Sequence, residues 1–371
     1  MSSIRQRRWG PREKRHLLMM LIVVVGLHVI GWGTFAVAVL PGSYQVAGSQ
    51  IFGVGLALTA YSLGIRHAFD ADHIAAIDNT TRKLIENGNS RPLSVGFWFA
   101  LGHSSVVVAA VALLAGGLNV LAAQMSDTES LLLQGAGLWG ALLSGCFLLL
   151  LGSINLIAFK GLWRSLADYR NGRFTEGQLE AHLQSRGVLN RILRPIASQI
   201  NRPAKMYPIG LLFGLGFDTA TTIGLFVVAG SAALALPWYV VLVLPVLFAA
   251  GMVLFDTLDG LLMQRAYEWA FERPLRRIYY NLAVTSVSVF VAFFVASVAL
   301  IGAVSENLRI TAGPLGWVAR IDLGNFGLIV VGVFLLLWAA ALAYWKVSGP
   351  QVPEVHGETP SRTLQGRDGP P

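Results

Sequence analysis

Cysteine is nearly absent from this chain: Cys146 is the only one among 371 residues. That excludes an intramolecular disulfide framework and any metal site built from several thiolates. Charge is scarce too. Only 13% of the residues are charged and 54% are hydrophobic, whereas a soluble domain is nearer about a quarter charged. No Gly-rich Walker A segment occurs, which excludes ATP hydrolysis by that route, and no His-Glu-x-x-His pair marks a zinc hydrolase.

In their place stand long apolar runs, with a mean hydropathy of +0.60. The runs are too long for strands of a transmembrane barrel and do not alternate. The chain therefore reads as an all-α polytopic membrane protein. Eight spans of the roughly 20 residues a bilayer requires fall at 17–40, 52–78, 93–116, 131–158, 207–233, 237–263, 281–304 and 323–347. The expected organisation is a basic N-terminus (1–16), spans 1–4 (17–158), a polar loop (159–206), spans 5–8 (207–347) and a disordered proline-bearing tail (348–371). Ala36-Val37-Ala38 has signal-cleavage spacing. The apolar run before it exceeds the usual run of about 7–15 residues, so a retained first helix is expected.

With the N-terminus inside, 25 of the 28 Lys and Arg residues fall in cytoplasmic segments, which satisfies the positive-inside bias. Both termini are thus expected in the cytoplasm, the protein in the cell membrane. The net charge of +8 is explained by anionic lipid head groups rather than nucleic acid. The loop 159–206 mixes acids, bases and leucines, as short amphipathic helices at the membrane surface would, and is not expected to be a catalytic domain.

The costly residues are inside the spans. Span 2 contains Arg66-His67-Ala68-Phe69-Asp70-Ala71-Asp72-His73-Ile74, span 3 His103, span 5 Asp218, and span 6 Asp256 and Asp259. Each ionisable group at mid-membrane costs about 2.5–3.5 kcal/mol on insertion scales, and the acids outnumber the one fixed cation, Arg66. A divalent cation supplies the missing charge. Helix counting sets His67, His73, His103, Asp218 and Asp256 in one slab, roughly 9–18 Å from the cytoplasmic helix ends. On a helical wheel His67, Asp70 and His73 share an arc. Asp72 points elsewhere, so it either serves another helix or sits in a distorted one. Arg66 is expected to pair with an aspartate. His28 and Asn155 read as helix-pairing groups or additional ligands, and Asp78 and Asn79 as the end of span 2. The phrases Phe99-Ala-Leu-Gly102 and Phe213-Gly-Leu-Gly216 echo one another, as do Phe217-Asp-Thr and Phe255-Asp-Thr. Spans 2–3 and 5–6 have opposite topologies, which allows an inverted repeat.

Imidazole with carboxylate suits nickel, cobalt, zinc, iron or manganese, while copper(I) favours sulfur and magnesium or calcium favours oxygen alone. A carrier importing such an ion, one exporting it, and an intramembrane metalloenzyme all remain open on these residues.

At these same residues the chain resembles the nickel/cobalt transporter family. The helix-2 hallmark matches Arg66 to Ile74, and further signatures match Leu101 to Val107, Leu215 to Thr221 and Gly251 to Asp259. The resemblance implies an eight-helix permease importing nickel or cobalt ions, with the ion as substrate and no resident cofactor. It implies metal recognition by His67, Asp72 and His73, with Asp70 in the same motif; His103, Asp218, Asp256, Asp259 and His28 are candidates for the ion path. One departure stands out: the family's helix-5 motif usually ends in Glu, and this chain has Thr222.

Overall fold

The structure, a computed structural model, describes residues 9–46, 50–86, 92–116, 131–171, 201–216, 220–233, 236–271, 274–323 and 326–347. It is helical apart from a two-residue antiparallel pairing, β1 (Gln45–Val46) with β2 (Gln50–Ile51). The helices are α1 (Pro11–Thr34), α2 (Val54–Ala68), α3 (Ala71–Glu86), α4 (Val95–Ala115), α5 (Leu131–Arg170) and α6 (Met206–Gly214). They continue as α7 (Ala220–Ala233), α8 (Trp238–Val241), α9 (Val243–Phe271), α10 (Pro274–Asn307), α11 (Gly313–Ala319) and α12 (Phe326–Val347).

Among the described residues, six helical segments are long and apolar enough to cross a membrane: Pro11–Gly42, Val95–Ala115, Gly137–Asp168, Trp238–Glu268, Tyr279–Asn307 and Phe326–Tyr344. The other two expected spans, 52–78 and 207–233, are interrupted. Span 2 divides into α2 and α3, and span 5 into α6 and α7. Neither half of either span is long enough to cross alone. Further differences concern lengths. α5 runs to Arg170, well past the expected boundary at 158, so the loop 159–206 begins as helix. The tail 348–371 and the N-terminal residues 1–8 lie outside the described residues.

No proline or glycine causes the break in span 2. Phe69 N–H turns back to the Arg66 carbonyl and Asp70 N–H to the His67 carbonyl, which closes α2. Asp70 then occupies the position before α3, and its carbonyl accepts Ile74 N–H at 3.2 Å. Aspartate is among the residues that favour this start position. Asp72 sits in the first turn, where its Oδ1 accepts His73 N–H at 2.9 Å. A carboxylate there also complements the positive end of the helix dipole. The break explains why Asp72 does not fit a continuous wheel.

α3 is the most enclosed element: every residue from His73 to Arg82 is buried. It packs against α9, α10, α12, α5 and α4. The break is backed by α12, where Gly327 approaches the Phe69 carbonyl so closely that a Cβ would overlap it. Phe52, Phe97, Phe226 and Phe248 fill the bundle interior. Leu21, Ile22 and Val29 of α1 and Leu336 of α12 are exposed, the apolar outer surface expected of helices that face lipid.

Candidate metal centre

Three imidazoles from three helices converge inside the bundle. His67 lies in the last turn of α2, His73 in the first turn of α3 and His103 in α4. One nitrogen from each lies within 4.8 Å of the other two. The ring centroids are 4.5 Å apart for His67 and His73, 4.7 Å for His67 and His103, and 4.9 Å for His73 and His103. All three are 1–3% exposed. Phe248 and Phe99 pack against His67 and His73 and help to exclude water.

Carboxylates stand behind two of the rings. His67 Nδ1 meets Asp70 Oδ2 at 2.6 Å, and His73 Nδ1 meets Asp256 Oδ2 at 3.3 Å. An imidazole that donates one nitrogen to a carboxylate presents the lone pair of the other, the usual arrangement around metal-ligating histidine. His73 Nε2, His103 Nδ1 and Asp256 Oδ1 have no hydrogen-bond partner among the described residues. Buried polar atoms without partners are costly, and a nitrogen-binding cation among the three rings would relieve that cost at His73 Nε2.

The structure thus redistributes the residues expected to act together. His67 and His73 meet as expected, and His103 joins them. Asp70 is spent on His67, and Asp72 on the first turn of α3. Asp256 stands behind His73. Asp259 is 9% exposed, and neither of its carboxylate oxygens has a described partner. His28 stays apart on α1, bonded to the Val24 carbonyl at 2.8 Å and to the Tyr61 hydroxyl at 3.1 Å. Asp218 lies outside the described residues. Thr222 is buried in α7. Arg66 is exposed and makes no ion pair with a described acid, because the end of α2 turns it away from the cluster.

A second polar layer lies further along α3. Asp78 accepts hydrogen bonds from the Tyr267 hydroxyl at 2.6 Å and the Ser288 hydroxyl at 2.7 Å. Arg82, 0% exposed, donates to Thr285 Oγ1 and, at 3.4 Å, to Asn79 Oδ1. Asn155 Nδ2 donates to the same Asn79 oxygen. Arg82 is therefore a buried fixed cation rather than a loop residue near lipid head groups, which corrects both the charge count of span 2 and one contribution to the positive-inside pattern. The signal in the sequence was the spacing of Asp78 and Arg82, which puts them on one helical face.

The family description "High-affinity nickel-transport protein" (NicO) matches residues 53–344. The chain is 48% identical to the nickel transporter NicT of Mycobacterium tuberculosis, over 93% of this chain and 92% of that one. It is 39% identical to the high-affinity nickel-transport protein NixA of Helicobacter pylori, over 88% and 96% respectively. It is 37% identical to the cobalt transport protein NhlF of Rhodococcus rhodochrous, over 91% and 94%. No solved structure matches the chain. With most of its length covered, and with the interrupted second helix inside the matched region, this chain belongs to the NicO family of high-affinity nickel-transport proteins.

Proposed function

We propose that the protein is a single-chain secondary permease that imports nickel or cobalt ions across the cell membrane through the three-histidine centre. The observation that carries this reading is the convergence of His67, His73 and His103, two of them backed by carboxylates, at a break in span 2. Interrupted helices are where transporters commonly hold their substrates. A nitrogen-rich donor set suits nickel and cobalt and disfavours magnesium and calcium, which prefer oxygen alone. Names of relatives that carry nickel or cobalt support the same substrate class.

Eight crossings account best for the helix directions, and the positive-inside bias of the sequence favours both termini in the cytoplasm. His73 meets Asp256 and, further along both helices, Asp78 meets Tyr267, so α3 and α9 run the same way. That requires an even number of reversals between spans 2 and 6, hence a crossing by the interrupted span 5. Segments 1–16, 159–206 and 348–371 are then cytoplasmic. An ion enters from outside, exchanges water for imidazole nitrogen, and leaves to the cytoplasm once the helices around α3 rearrange. An interior-negative potential favours inward movement of a doubly charged ion by about 4.6 kcal/mol per 100 mV, from roughly 2.3 per elementary charge.

Accumulation of radioactive nickel and cobalt by cells expressing wild type or His67→Ala tests the reading. Wild-type cells should accumulate at least one of the two ions, and the variant should remain at background. Accumulation of neither by wild-type cells rejects the import reading.

A further inference from the structure

The two interrupted spans break at equivalent points. α2 closes with Asp70 N–H on the His67 carbonyl and Phe69 N–H on the Arg66 carbonyl. α6 closes with Gly216 N–H on the Phe213 carbonyl and Leu215 N–H on the Leu212 carbonyl. A single offset carries Tyr61, Gly64, Ile65, His67 and Asp70 onto Tyr207, Gly210, Leu211, Phe213 and Gly216.

The packing follows the same correspondence. Gly64 of α2 lies against the Phe248 carbonyl of α9, and Gly210 of α6 lies against the Phe99 carbonyl of α4. In return, Gly251 of α9 lies against the Tyr61 carbonyl and the Ile65 nitrogen. Gly102 of α4 lies against the Tyr207 carbonyl and the Leu211 nitrogen. Phe99-Ala-Leu-Gly102 thus corresponds to Phe248-Ala-Ala-Gly251, not to the phrase in span 5 that it echoes. The next helix of each group obeys the rule as well. Gly145 of α5 meets Leu300 of α10, and Gly152 meets Phe293. The offset that carries Gly145 onto Phe293 carries Gly152 onto Leu300, so the contact maps onto itself with its partners exchanged. A two-fold axis has that property.

The sense of insertion also follows. His67 lies beside His103, and His73 beside Phe99, so spans 2 and 3 are antiparallel. Phe99 meets Gly210 and Val106 meets Gly214, so spans 3 and 5 are parallel. Span 5 therefore runs against span 2.

We infer that spans 2–4 and 5–7 are two copies of one three-helix unit inserted in opposite senses, and that the second half of each broken span is a gate, α3 toward the cytoplasm and α7 toward the outside. The sides rest on the transport reading above. α2 and α6 are held backbone to backbone by the four glycine crossings, which leave no room for sliding. Beyond the breaks no such crossing is seen among the described residues: α3 has no glycine, and a Cβ on Gly224 of α7 would meet only a Leu63 side-chain carbon at 3.8 Å. α3 is shut in this structure, with Asp78 and Arg82 bonded to α9 and α10. The histidines of the centre are not duplicated. His67 and Asp70 correspond to Phe213 and Gly216, and His103 to Met252, so among the described residues there is one three-histidine centre beside two gates.

Ala76 of α3 and Thr222 of α7 are repeat mates, 0% and 1% exposed. Each is changed to cysteine in the full chain carrying Cys146→Ser, which removes the only native thiol. Labelling by a membrane-impermeant maleimide is followed in right-side-out and inverted vesicles while a nickel gradient is applied, alongside nickel uptake. Ala76→Cys should label only from the cytoplasmic face and Thr222→Cys only from the outer face. Thr80→Cys and Phe226→Cys, the next mates, both 0% exposed, replace the first pair if either of those variants loses uptake. Both members of a pair labelling from one face, or neither labelling while uptake proceeds, overturns the inference. Opposite-sided labelling in a protein whose wild type carries no nickel would retain the repeat and reject the transport reading.

Discussion

His67 Nε2 lies 2.9 Å from His103 Nε2, although they are 36 residues apart and the whole of α3 lies between them in the chain. A hydrogen bond between two imidazoles needs a proton on one nitrogen and a lone pair on the other. An ion bound by both nitrogens would take the place of that proton, so under the proposed function this contact is part of the ion site. Replacing His103 with alanine should weaken nickel binding by at least about tenfold, roughly 1.4 kcal/mol. Equilibrium dialysis of the detergent-purified protein measures this, and unchanged affinity would put His103 outside the site.

Among the described residues, Asp256 meets the three-histidine centre through its hydrogen bond with His73. Its replacement by asparagine preserves shape and removes the charge that orients the ring. Loss of such a supporting carboxylate typically costs about 10–100-fold in metal affinity, and the same range is expected here. Asp256→Glu should recover part of it. A purely structural role predicts instead that Asp256→Asn lowers thermal stability while leaving the affinity of the surviving folded protein intact.

Arg82 and Asp78 belong to α3's bonds with its neighbours. Removing one partner of a buried charge group commonly costs about 3–5 kcal/mol. Arg82→Met should therefore lower the unfolding temperature of the metal-free protein markedly, and Arg82→Lys should lower it less. His103→Ala should leave that temperature near wild type. Equal unfolding temperatures for Arg82→Met and wild type would show that the guanidinium does not hold α3.

Gly327 is placed against the carbonyl of Phe69, one residue before Asp70. A methyl group there must push the break aside, and His67 and Asp70 move with it. Gly327→Ala should reduce nickel affinity and uptake. Gly332→Ala, on the same helix but in open space, should do neither. Equal uptake by the two variants would refute the role of the α12 seat.

Much of the bundle was legible because hydrophobicity over about 20 residues is a strong signal. The breaks were not. Nothing in Phe69-Asp70 resembles a proline kink, and the same two residues would be tolerated in a continuous helix. The helical wheel grouped His67, Asp70 and His73 and left Asp72 unexplained, because a wheel assumes one axis where the chain has two. Arg82 was hidden by its position next to a loop, and only tertiary packing shows that it is buried. The echo between Phe99–Gly102 and Phe213–Gly216 was real as spelling and misleading as register. The matching partner is Phe248–Gly251, identified by which carbonyl each glycine approaches. His103 was visible as a residue, but its meeting with His67 depends on how α4 crosses α2.

The lone thiol gives the described centre a chemical character of its own. Cys146 is exposed on α5, away from imidazoles and carboxylates that have no sulfur among them. Peroxide converts thiolates through sulfenic toward sulfonic acids, and a path lined by cysteine would lose its ligands under that stress. Nitrogen and oxygen donors have no such ladder to climb. The centre therefore offers peroxide no thiolate to consume, and its capacity to hold an ion should survive thiol oxidants that disable cysteine-based carriers.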